Sequence, residues 1–363
     1  MPIRTDQVFI GPALSCANLA DEQFGMRVPR DLASYFHLYR QSLSVPYYFI
    51  ELQPERRWVE QFSDDFVPKS DNSWWQHFGT NNEFRFELAC QPHIIGVHSP
   101  IEKIDVLTGN YNNFKKRQSI ASIKESMEYA NAIGADYFIF HLIQQDDWVD
   151  LRTRWHELVP ESYRIYAYFA DYYRKRNFHF VPCIEILEFP KYPATSMEAE
   201  DMLHDCQGIL PGTKLVFDLS HLWRSRNIII ENKDREDFRS FDNVFGVSFL
   251  DELKDTLALL GRNDIYCFHL GGCYEMGTHG VPGINPNEDP LNSNYRLDCL
   301  PCSYDLNYEM DISGALEIII DFCSSRNQDL KMILEIHNQP YSVILRAMQE
   351  MKQAVRNKIR RRC

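Results

Sequence analysis

Eight short apolar runs recur along this chain, each set off from the next by a polar or helical stretch. They are QVFIGPALS (7–15), YYFIELQ (47–53), IIGVHS (94–99), YFIFHL (137–142), FVPCIEI (180–186), KLVFDLS (214–220), IYCFHLG (265–271) and MILEIH (332–337). Their length and their β-branched and aromatic content read as strands buried under helices. Several intervening segments have helical spacing. In SIASIKESMEYANAIGA (119–135), Ile120, Ile123, Met127, Ala130 and Ile133 fall on one face, and Gly134 supplies a stop. SFLDELKDTLALLG (248–261) is predicted to end on Gly261 in the same way, and ISGALEIIIDFC and YSVILRAMQEMKQAVRNKIRRR supply two more helices. The Tyr-rich YRIYAYFADYYRKRNF (163–178) predicts a core-facing helix. Strands alternating with helices eight times predict an α/β fold, a (β/α)8 TIM barrel, as a single domain over residues 1–363. A doubly wound open sheet is the alternative, but no GxGxxG follows the first strand to support it. Residues 54–93 after the second strand and 272–312 after the seventh exceed ordinary loops, and are expected to be insertions or lids.

Charge and composition narrow the function classes. Acidic residues outnumber basic ones, 51 to 38, giving a net charge of −13, which argues against a broad basic groove for nucleic acid. The basic run from Arg356 to Arg362 sits at a predicted helix C-terminus, where it complements the helix dipole. The start, MPIRTDQVFIGP, lacks the pattern of a signal peptide, and no apolar stretch is long enough to span a membrane. Several of the 10 cysteines (Cys90, Cys183, Cys267) fall in apolar segments, the habit of reduced thiols, so a cytoplasmic location is expected. Cys299 and Cys302 form a lone CxxC with no second pair to complete a zinc site.

The ends of the predicted strands carry the chemistry. His98 ends the third, His141 the fourth, Glu185 the fifth and Asp218 the sixth, with His221 just beyond. His269 ends the seventh, with His279 after a Gly-rich turn, and Glu335 ends the eighth, with His337 two further on. One such residue is usually a hydrogen-bonded core side chain. Six consecutive strands ending this way converge on one barrel mouth, where imidazoles and carboxylates facing one cavity suit a divalent cation. A cation also removes the cost of burying several carboxylates together. Asp218 and His221 are three apart, so His221 cannot share a strand face with Asp218 and must lie where the chain turns.

VHSP, SIKESMEYANAIGADYFIFH, CIEI, FDLSH, FHLGG, THGVPG and LEIH, in this order and on these strands, resemble the xylose-isomerase-like TIM barrels. That superfamily includes endonuclease IV and the sugar isomerases and epimerases, and the resemblance covers about residues 94–340. From the epimerase branch it implies one metal held by Glu185, Asp218, His269 and Glu335. From the endonuclease branch it implies a second metal through His98 and His141, and a third through His221 and His279. The sequence departs from that branch at Gly277, where the branch has Asp, and at Ala13, where it has a strand-1 His; Arg57 and Trp58 in ERRW are loosely similar to a segment of it. EILEFPKYP and LEIHNQPY are similar to multinuclear iron enzymes that modify peptides, although His221 stands where that group commonly carries Asn.

Three reaction classes fit, each with one to three ions of Mn, Zn or Fe. The first is isomerisation or epimerisation of a small polyhydroxylated or sugar-like molecule, with Glu185 and Glu335 moving the proton and His221 holding a hydroxyl. The second is multi-metal phosphodiester hydrolysis, for which no clear basic track exists, and the third is iron-dependent oxidation. A degraded barrel serving as a binding module is the non-enzymatic alternative, and the full ligand set argues against it. The oligomeric state is left open. WWQHF (74–78) reads as packing within its own insertion or as a stacking lid, and NPNEDP (285–290) as a turn-rich stretch or a gate.

Overall fold

The eight apolar runs form the strands of one closed parallel barrel. In chain order its strands are β1 (Val8–Ser15), β2 (Tyr48–Gln53), β3 (His93–His98), β4 (Tyr137–Phe140), β5 (Val181–Glu185), β6 (Lys214–Asp218), β7 (Ile265–Leu270) and β10 (Leu330–Leu334). A two-stranded antiparallel ribbon, β8 (Gly272–Tyr274) and β9 (Gly277–Gly280), lies within the stretch expected to be a long loop. The computed structural model describes residues 3–15, 48–53, 93–99, 114–142, 155–234, 244, 246–261, 263–274, 277–284, 289, 293–295, 310–336, 339 and 341–361. The insertion at 54–92, Arg57, Trp58, WWQHF, Cys90, Cys299, Cys302, His337 and most of NPNEDP lie outside them.

Among the described residues there are seven α-helices: α1 (Phe114–Ile133), α2 (Trp155–Arg176), α3 (Ser196–Ile209), α4 (Leu219–Glu231), α5 (Phe249–Leu259), α6 (Ile312–Arg326) and α7 (Tyr341–Arg360). Gly134 ends α1 at φ +70°, and Ala135 N–H closes back on Ala130 O at 2.8 Å, as the sequence predicted. Gly261 works differently from the expectation. It has no left-handed φ; its amide donates to Asp264 Oδ2 at 2.6 Å, and a Cβ there would collide with that carboxylate. It is a close-approach glycine.

The chain divides into two compact units, Met1–Pro12 with Ile186–Met202 and Leu215–Cys363, and Ala13–Glu185 with Leu203–Lys214. In the second unit, Phe138 and Phe140 of β4 point outward. Phe140 meets Tyr166 and Phe169 of α2 at 5.4 and 5.8 Å, so the Tyr-rich helix does face the core. In the first unit, Phe217 of β6 and Phe268 of β7 lie 5.9 Å apart, and Phe268 reaches Phe322 of α6. Burial of Ile344, Met348, Met351, Val355 and Ile359 gives α7 one apolar stripe. Lys358, from the basic run, turns inward to Glu317 at 2.8 Å and Ser313 at 2.6 Å. Cys183, Cys206, Cys267 and Cys323 are buried thiols; burial pushes Cys206 up and Cys323 to about 12, which keeps both protonated and inert. Among the described residues no helix is long and apolar enough to cross a membrane.

Period-two alternation then fixes what faces the barrel interior. With Phe138 and Phe140 outward, Tyr137 and Ile139 face inward. Register carries this to Gly96 (paired with Tyr137), to His98 (paired with Ile139) and to Glu51 (paired with Gly96). Tyr137 takes the space that Gly96 leaves, and a Cβ at residue 96 would overlap its ring. Gly96→Ala is therefore expected to cost about 2–3 kcal/mol from overpacking, read as a lower denaturant midpoint with an unchanged slope.

Candidate metal centre

In the second unit three inward side chains meet. Glu185, the last residue of β5, meets His98 Nε2 at 2.9 Å and His141 Nε2 at 2.5 Å, both on the same oxygen, Oε2. All three residues are buried, and the two imidazole rings stand edge to face with centroids 4.2 Å apart. His141 lies one residue beyond β4, and its amide donates to Ser99 Oγ at 3.2 Å, which holds the turn. His98 Nδ1 is 2.7 Å from the Ser99 carbonyl. A carbonyl only accepts, so Nδ1 donates to it, and Nε2 is the ring atom directed at the carboxylate. Two imidazole nitrogens converging on one buried carboxylate oxygen make a donor set that suits a divalent cation. The Nδ1–H to carbonyl bond is the outer contact that fixes metal-binding histidines. His98, His141 and Glu185 bring their ligand atoms within 4.8 Å of one another, close enough to hold a metal ion.

In the first unit the donors come from β6, β7 and the end of β10. Phe217 and Phe268 point outward to the helices, so Asp218 and His269, paired in register, both face inward. Glu335 follows β10 directly; its amide donates to Leu270 O at 3.0 Å, and its Oε1 lies 3.3 Å from His269 Nδ1. Asp218, His269 and Glu335 are all at most 3% exposed. Cys267 shares the inward face of β7 with His269.

The spacing of Asp218 and His221 has a structural cause. Asp218 is the N-cap of α4, and its Oδ1 accepts from the His221 amide at 2.6 Å. His221 therefore sits in the first turn of the helix, as its spacing predicted, but it is buried, with Nε2 3.9 Å from Asp218 Oδ2. Ser220, between them, is fully buried and clamps the turn to β7: its Oγ donates to Gly271 O at 2.9 Å and accepts from the Gly271 amide at 2.8 Å. The sequence FDLSH thus serves three ends: strand end, helix cap and anchor.

His279 belongs to β9, but its side chain lies outside the described residues, as does all of His337. Ala13 of β1 pairs with Glu51, so the strand-1 position faces inward without a donor. One inward carboxylate escaped the sequence reading. Glu51 of β2 is fully buried, and Tyr137 Oη donates to its Oε2 at 2.9 Å. A lone Glu in the middle of YYFIELQ was the available signal.

No protein-family model and no curated protein sequence matches this chain. Solved structures do. One is a putative xylose isomerase from Rhodospirillum rubrum, 11% identical, with a TM-score of 0.58 over 96% of this chain and 99% of that one. An L-ribulose 3-epimerase is 9% identical, with a TM-score of 0.56 over 98% and 96%. A D-psicose 3-epimerase from Clostridium cellulolyticum is 11% identical, with a TM-score of 0.54 over 97% and 99%. At these identities the likeness is one of fold, and the fold is that of the xylose-isomerase-like and sugar-epimerase barrels.

Proposed function

We propose that this protein is a divalent-metal-dependent enzyme, a single barrel domain that moves a proton on a small polyhydroxylated or sugar-like substrate, as an isomerase or epimerase. The observation that carries the reading is the run of buried, inward carboxylates and imidazoles at consecutive strand ends. Asp218, His269 and Glu335 line three of them. Glu185 immediately precedes Ile186, whose amide is tied to Val216 O of β6 at 3.2 Å. In a closed parallel barrel such ends face one mouth. On this reading Glu185, Asp218, His269 and Glu335 hold one ion, with His98 and His141, and then His221 and His279, available for a second and third.

A divalent ion supplies the positive charge that acidifies a C–H beside a bound carbonyl. Glu185 and Glu335 do the proton work: one takes the proton from the substrate carbon and the other returns a proton to the opposite face, which inverts the centre. His221, fixed in the first turn of α4, holds a substrate hydroxyl. The epimerases among the similar structures support the same substrate class.

A second reading draws on one feature, the sharing of Glu185 Oε2 by two histidines. A carboxylate oxygen approached by two imidazoles would suit a multi-ion centre, such as one for phosphodiester hydrolysis or iron-dependent oxidation. Elemental mass spectrometry on protein purified anaerobically without added metal separates the readings. Stoichiometric Mn, Co or Mg is expected, together with deuterium uptake beside the carbonyl of L-ribulose or D-psicose in heavy water. Several Zn ions would move the assignment to hydrolysis, and several Fe ions to oxidation. No metal, even after reconstitution, would sink all three.

A further inference from the structure

We propose that Glu51 is a further metal ligand, delivered from inside the barrel by β2, and that Tyr137 is its positioning residue. The inference rests on the metal-centre reading above. Three strands cooperate to place this carboxylate. Register sets Glu51 of β2 beside Gly96 of β3, and Gly96 beside Tyr137 of β4, all on the inward face. Gly96 has no side chain, which is the only way the Tyr137 ring can lie across β3, since any Cβ there would overlap it. The ring then presents its hydroxyl to Glu51 Oε2 at 2.9 Å, with both residues fully sequestered from solvent. His98 lies two residues along the same face of β3, and one of its ring nitrogens is within 4.8 Å of a Glu51 carboxylate oxygen.

A cation offsets the cost of burying a carboxylate this deeply. Two ligands of one ion at about 2.0–2.2 Å each lie roughly 3–4 Å apart, a separation that the Glu51–His98 spacing admits with a small side-chain adjustment. A carboxylate has four lone-pair sites, so the Tyr137 bond orients Glu51 and leaves capacity for an ion. Ligating carboxylates are held by outer hydrogen bonds of this type. The sequence commits Gly96, Tyr137 and Glu51 together to an arrangement that packing alone does not require, since three apolar side chains would fill the same layer.

The test compares wild type, Glu51→Gln and Tyr137→Phe by metal content, by Zn(II) affinity in chelator competition, and by melting with and without Zn(II). Glu51→Gln is expected to lower affinity more than about 100-fold. Tyr137→Phe is expected to lower it about 10–100-fold, the usual cost of losing an outer partner. The metal-free Glu51→Gln protein should melt no lower than wild type, because Gln keeps the volume and an acceptor for Tyr137 Oη, while its stabilisation by Zn(II) shrinks. Wild-type affinity in Glu51→Gln overturns the proposal, and so does a lower melting point of the metal-free variant with affinity unchanged. If Glu51→Gln fails to fold, unchanged affinity in Tyr137→Phe overturns it instead. Wild-type protein that binds no metal at all refutes the metal-centre reading itself, a different result from a variant that binds as well as wild type.

Discussion

Glu185→Gln is expected to reduce turnover by about 10³-fold or more and to strip metal from the protein. The size follows from the number of roles on one side chain. Its Oε2 receives both His98 and His141, at 2.9 and 2.5 Å, so the neutral amide removes the negative charge that two imidazoles share. In the proposed chemistry the same carboxylate also moves the substrate proton, a role no amide performs. The fold should persist, because Gln keeps the volume and an acceptor oxygen. Elemental analysis and solvent-deuterium uptake check the two losses separately. Full metal content with uptake within about tenfold of wild type would remove Glu185 from both roles, since a lost general base alone costs more than that.

The strand-end donors were legible from the sequence because each follows an apolar run whose period is local. His98, Glu185 and Asp218 close their strands, His269 is the last but one of its strand, and His141 and Glu335 sit one residue past theirs, a boundary shift that leaves their facing unchanged. The DxxH spacing was equally local, since an N-cap and the third helical residue are bonded through the backbone. Glu51 was hidden because its meaning is not local. Its partner hydroxyl comes from β4, across a glycine of β3, and nothing within YYFIELQ announces either. Gly261 misled for a related reason: the sequence shows a glycine after a helical run, but Asp264, three residues on, decides what that glycine is for.

Asp218 offers the sharpest separation of structure from function, because its two oxygens have different duties. Oδ1 caps α4 through the His221 amide at 2.6 Å, while Oδ2 lies 3.9 Å from His221 Nε2. Asn caps a helix about as well as Asp, so Asp218→Asn is expected to keep the start of α4, and with it His221, in place. What it loses is the charge, and with it most of the proposed metal affinity. Asp218→Ala loses both, and is expected to be about 1 kcal/mol less stable than Asp218→Asn in the metal-free state, the usual cost of an empty cap. Comparing denaturant midpoints of the two metal-free variants reads the cap; comparing their metal content reads the ligand. If Asp218→Asn retains metal at the wild-type level, Asp218 is a capping residue alone, and the proposed ion must be held by Glu185, His269 and Glu335 without it. If both variants lose metal and only Asp218→Ala loses stability, one residue ends the strand, starts the helix and binds the ion. In that case the turn clamped by Ser220 to Gly271 matters to chemistry because it sets the direction of Oδ2.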